Sequence, residues 1–134
     1  MSGERKAIIC IDDETIILDS LREQLENSFG EDYIYEIAES VEEAFEIIDE
    51  LEEDEIEIAI IVCDWLMPGI KGDKFLLQID LKYPRVVKIL LTGQADQNSI
   101  DTLEELADHF TLVPKPWSKD ELVRVIKSEL NRNE

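Results

Sequence analysis

Short apolar runs alternate along the chain with segments of helical period. Runs rich in Ile and Val stand at Ala7–Ile11, Tyr33–Ile37, Ile58–Cys63, Val86–Leu91 and Phe110–Val113. Their length and β-branched content predict strands. The first, third and fourth are apolar enough for burial on both faces. Between them, Val41, Ala44, Phe45, Ile48 and Leu51 follow i, i+3, i+4, i+7 spacing, and Ser40 with Glu43 forms a capping box at that start. Ile17, Leu21 and Leu25 mark a first helix, and Phe75, Leu76 and Ile79 a third. Ile100, Leu103 and Leu106 mark a fourth. Leu122, Ile126 and Leu130 mark a fifth, opened by Ser118 with Glu121.

Strands alternating with helices predict a parallel sheet covered on both faces. Right-handed crossovers leave few topologies. One is the flavodoxin-like (βα)5 three-layer sandwich, with five parallel strands in the order 2-1-3-4-5 and function at their carboxyl ends. The 134 residues suit one domain.

Charge narrows the function. Asp plus Glu number 33 against 13 Lys plus Arg, a net charge of −20. Such a body repels nucleic acid and anionic lipid, and no basic patch offsets this. Residues 42–57 hold ten acids and no base, the pattern of a solvated helix face and loop. Cys10 and Cys63 lie in apolar runs without metal-ligand or disulfide-scaffold spacing, which reads as core. The N-terminus lacks the pattern of a signal peptide, and no run approaches the ~20 apolar residues of a membrane span. A reducing, cytoplasmic setting is expected.

The strand ends carry the chemistry. The first ends in Asp12-Asp13-Glu14, the third in Asp64, the fourth in Thr92-Gly93, and the fifth near Lys115. Three carboxylates, one hydroxyl and one ammonium should therefore converge on one rim. Packed carboxylates repel, and a divalent cation relieves the repulsion. Hard oxygen ligands with open water positions suit Mg²⁺. An Asp carboxylate can act as nucleophile toward phosphorus, and Lys and Thr can hold the other phosphoryl oxygens. Each piece has a blander reading: Asp12-Asp13 can cap a helix, and Lys115 between Pro114 and Pro116 can be a turn residue. Asp64 is harder to dismiss, because an unpaired charge after Ile58–Cys63 is costly.

IICIDDE (8–14), IVCDWLMPGIKGD (61–73), ILLTGQAD (89–96) and LVPKPW (112–117) together resemble the receiver domain of two-component response regulators. The resemblance spans about residues 5–131. It implies that Asp64 accepts a phosphoryl group from the phosphohistidine of a histidine kinase or phosphotransfer protein. It implies Mg²⁺ held by Asp13 directly, by Asp12 mainly through water, by Asp64 and by the Leu66 backbone carbonyl. Thr92 would turn to bind the phosphoryl group and Lys115 would pair with it, with a cis peptide expected at Lys115–Pro116. Output to a downstream protein or effector domain would run through the face of the fourth helix, fifth strand and fifth helix, where receivers also often form homodimers. No effector domain is expected within these 134 residues.

Two departures from the family pattern stand out. Leu112 occupies the position where the family commonly has Tyr or Phe, and Phe110 is out of register by two. This puts the usual aromatic–threonine switch in question. Leu66 and Gln94, two residues after Asp64 and Thr92, are the family's positions for tuning dephosphorylation. Trp65 is expected as a partly exposed reporter, Trp117 as packing and His109 as a loop residue. The rival reading is a receiver-like interaction module that is never phosphorylated.

Overall fold

The computed structural model describes residues 5–64, 72–92, 111–114 and 119–132. Five strands form one sheet: β1 (Lys6–Ile11), β2 (Tyr33–Ala38), β3 (Ile58–Asp64), β4 (Val87–Thr92) and β5 (Thr111–Pro114). Their order is β2-β1-β3-β4-β5 and every neighbouring pair is parallel. All five carboxyl ends therefore share one edge. In register, Cys10 lies beside Ile37 and Val62, Asp64 beside Leu91, and Thr92 beside Pro114.

Strand side chains alternate between faces, so the sheet has two cores. Ile8, Cys10, Ile60, Val62, Ile89 and Leu91 point to one face. There they meet Leu18, Leu21 and Leu25 of α1 (Thr15–Phe29) and Leu122 and Ile126 of the C-terminal helix (Lys119–Arg132). Ala7, Ile9, Ile11, Ile61, Cys63 and Leu90 point to the other. There they meet Val41, Ala44, Ile48 and Leu51 of α2 (Val41–Glu53) and Phe75 and Ile79 of α3 (Gly72–Lys82). Phe45 and Phe75 close that layer edge-to-face at 5.1 Å. The result is the three-layer sandwich expected from the sequence.

Local chemistry explains the element ends. Ser40 caps α2 by accepting the Glu43 N–H at 3.1 Å, as its capping box predicts. Gly30 ends α1 at φ 70°, where a side chain would be strained, and its N–H returns to the Glu26 carbonyl. The Tyr35 hydroxyl then donates to the Gly30 carbonyl at 2.7 Å.

Strand β2 is only half-buried over most of its length, as befits a sheet edge and a run less apolar than the first, third and fourth. Two details depart from the hydrophobic pattern. Leu18, not Ile17, is the buried first-turn residue of α1, while Ile17 packs partly exposed. The apolar-looking β4 carries a buried Lys88. Cys10 and Cys63 are both buried and form no disulfide, on opposite faces of the sheet. The expected fourth helix over residues 100–106, together with His109, Phe110, Trp117 and Ser118, lies outside the described residues.

Candidate functional site at the carboxyl ends of β1 and β3

Asp12 is the first residue beyond β1. Its N–H donates to the Ala38 carbonyl at 3.1 Å, which extends the β1–β2 ladder by one bond. Its Oδ1 accepts the Glu14 N–H at 3.0 Å. This side-chain turn redirects the chain from strand to helix. Asp12 is thereby fully buried, while Asp13 next to it is exposed. Asp64 is the last residue of β3 and is 5% exposed. The Cys63 thiol donates to the Asp64 carbonyl at 3.3 Å.

One carboxylate oxygen from each of Asp12, Asp13 and Asp64 lies within 4.8 Å of the other two. Adjacency of β1 and β3 makes this possible, because both strands end at the same level. Two unit charges at about 4 Å repel by about 4 kcal/mol at the effective dielectric of a protein surface. Two of the three carboxylates are withdrawn from water, so solvent relieves little of that repulsion. The donor set is all hard oxygen, and the exposed Asp13 leaves one side open to water. Both features fit a small divalent cation that keeps part of its hydration shell.

Thr92 ends β4, and its backbone sits one step beyond Leu91, the register partner of Asp64. Leu112 lies on β5 beside Leu90. Lys115 follows Pro114, the last residue of β5, and falls outside the described residues, as do Leu66, Trp65 and Gln94. The three acids of the sequence reading are thus brought together, and Thr92 ends the strand adjoining the Asp64 strand.

One contact on the rim has no signature in the sequence. The Thr15 hydroxyl donates to Glu39 Oε1 at 2.8 Å across 24 residues of chain. No spacing rule connects positions so far apart. The only available signal was that both residues follow strand ends bound for the same edge.

Comparison with known proteins agrees with this geometry. The response regulator receiver domain matches residues 8–127. The chain belongs to that family, whose members are signalling phosphoacceptor domains, act with histidine kinases and bind Mg²⁺ at an acidic cluster. It is similar to the hydrogenase transcriptional regulatory protein HoxA of Cupriavidus necator, at 28% identity over 95% of this chain and 24% of that protein. It is also similar to the sensor kinase CckA of Brucella abortus, at 26% identity over 100% of this chain and 13% of that protein. The chain therefore spans about a quarter or less of the length of these curated relatives. Among solved structures, a CheY-like receiver domain protein of Methanospirillum hungatei superposes with a TM-score of 0.80 at 26% identity, covering 97% of both chains. A receiver domain protein of Clostridium thermocellum gives 0.77 at 26% identity, covering 95% of both. No helix among the described residues is long and apolar enough to cross a membrane.

Proposed function

We propose that this chain is a phosphoacceptor switch in which Asp64 takes a phosphoryl group from the phosphohistidine of a histidine kinase or phosphotransfer protein. The observation that carries the reading is the meeting of Asp12, Asp13 and Asp64 carboxylates within 4.8 Å at one end of the sheet. In the transfer, an Asp64 carboxylate oxygen bonds to phosphorus as the P–N bond to the histidine breaks. The electron pair of that bond returns to the imidazole. Asp12, Asp13, Asp64 and the Leu66 backbone carbonyl would hold Mg²⁺, which supplies neutralisation of the phosphoryl charge. The Thr92 hydroxyl and the Lys115 ammonium are the partners proposed for the remaining phosphoryl oxygens.

The added charge and the new Thr92 contact bias a two-state equilibrium. Output is proposed to run through the region 100–106, β5 and the C-terminal helix, to a downstream protein or effector domain or to a second copy of this chain. The cytoplasm is the proposed compartment, consistent with two cysteines that form no disulfide.

The test compares the parent chain with Asp64→Asn. Trp fluorescence is followed on adding Mg²⁺ and then beryllofluoride, with calorimetry as a direct measure of binding. A Mg²⁺-dependent beryllofluoride response that disappears in Asp64→Asn is expected. If neither ligand binds the parent by calorimetry, the protein is better described as a receiver-shaped interaction module.

A further inference from the structure

We infer that Glu39 is a positioning residue for the carboxylate cluster, acting through Thr15. Two of the three clustered carboxylates ride on one short connection, residues 12–15. That connection is tied to the end of β2 at both of its ends. At one end the Asp12 N–H donates to the Ala38 carbonyl at 3.1 Å. At the other the Thr15 hydroxyl donates to Glu39 Oε1 at 2.8 Å. Asp13 and Glu14 lie between the two ties. Within the loop, Asp12 Oδ1 accepts the Glu14 N–H at 3.0 Å.

Glu39 is itself anchored. Its N–H donates to Glu43 Oε2 at 3.4 Å, and the Glu43 N–H donates to Ser40 Oγ at 3.1 Å. The latch therefore ends in the first turn of α2, a helix packed on the sheet through Val41 and Ala44. Physical need for it is clear from the charges. Asp13 is exposed and repelled by Asp12 and Asp64, so an untied loop would swing it outward. A cation would then have to reassemble the site on binding. A loop held at both ends carries less of that cost, which is the general benefit of preorganisation.

The inference rests on the Mg²⁺ reading above. Its test is Mg²⁺ affinity by calorimetry at constant ionic strength, for the parent, Thr15→Val, Glu39→Ala and Glu39→Gln. Thr15→Val keeps the shape and removes the donor on an exposed residue, so the fold is not at stake. Glu39→Gln keeps an acceptor oxygen and removes the charge. Thr15→Val and Glu39→Ala are expected to weaken Mg²⁺ binding roughly fivefold, the scale of one lost hydrogen bond. Glu39→Gln is expected to stay within about twofold of the parent, since an exposed charge is largely screened. Parent-like affinity in Thr15→Val overturns the latch. So does a Glu39→Gln as weak as Glu39→Ala, because Glu39 would then act through its charge alone. A parent that binds no Mg²⁺ overturns this inference together with the functional reading, which separates the two failures.

Discussion

Lys88 places its ammonium nitrogen 3.0 Å from an Asp80 carboxylate oxygen inside the layer between β4 and α3. The same nitrogen donates to the Val86 carbonyl at 2.6 Å and to the Tyr83 carbonyl at 3.4 Å. All three ammonium protons thus have acceptors. That satisfaction is what lets a lysine sit at 3% exposure in a central strand. The contact fastens the end of α3 and the turn after it to β4, the strand that ends in Thr92.

The two partners of this pair are not equivalent, and their substitutions should differ. Asp80 keeps about a quarter of its side chain exposed, whereas Lys88 keeps 2%. Asp80→Ala leaves a buried ammonium short of its counter-charge and is expected to cost about 3–5 kcal/mol. Lys88→Met leaves an aspartate that water can reach and is expected to cost less, about 1–2 kcal/mol. Urea unfolding of the two variants measures the order directly. Equal losses, or the reverse order, would show that the buried charge does not dominate this contact.

Lys88 also marks where the sequence stopped being legible. All five strands begin within a residue of the apolar runs that mark them, because runs such as Ile58–Cys63 are too short for a competing helical reading. Alternation and crossover handedness leave few strand orders, the observed one among them, and in that order the strand-end positions of Asp12, Asp13 and Asp64 meet at one edge. The polar ties were not readable. Lys88 within VKILLT breaks the apolar run without saying which acid meets it. Thr15 and Glu39 are common polar residues whose pairing depends on how two loops pack. Hydrophobic periodicity reports on faces and not on contacts between loops. The proposed roles of Lys115, Leu66 and Gln94 rest on family resemblance, since those positions lie outside the described residues.

Ser40 should matter to stability beyond its place beside Glu39. Its Oγ satisfies the Glu43 N–H, one of the amides that the start of α2 would otherwise leave unpaired. Ser40→Ala is expected to cost about 1 kcal/mol, and Ser40→Asp to hold stability near the parent. Thermal or urea unfolding distinguishes these outcomes. An unchanged Ser40→Ala would mean that water replaces the cap in full.

Alkaline pH should expose the buried thiol of β1. Burial pushes Cys10 from its ordinary value of 9.0 up to about 12. The folded chain therefore keeps this proton at pH values where the unfolded chain has lost it. The contribution to stability is complete below about 9 and is lost as pH rises from about 9 to about 12. Its slope approaches about 1.4 kcal/mol per pH unit within that window. Tyr35 is raised to about 12 by burial and by Glu26, which adds in the same direction. Cys10→Ala is expected to be less stable than the parent near neutral pH, because it leaves a small void. The gap should narrow as pH rises through the window. Urea midpoints across that range test this, and parallel curves for the two proteins would rule out the thiol as the titrating group.

Leu66 is the residue through which the phosphorylated lifetime is expected to be set, if Asp64 is the acceptor. It stands two positions after Asp64, the last residue of β3. Loss of phosphate requires a water to approach phosphorus in line with the aspartyl oxygen. An apolar side chain offers that water neither a hydrogen bond nor a fixed place. Leu66→Asn supplies an amide that can orient it and keeps four side-chain heavy atoms branched at Cγ. Phosphate release from chain first phosphorylated and then freed of donor is expected to quicken about tenfold, equivalent to about 1.4 kcal/mol of barrier. Trp65, the neighbour of Asp64, provides a fluorescence readout of the same decay. Equal rates for parent and variant would remove Leu66 from the control of lifetime while leaving the acceptor role of Asp64 intact, because both proteins would still have been phosphorylated.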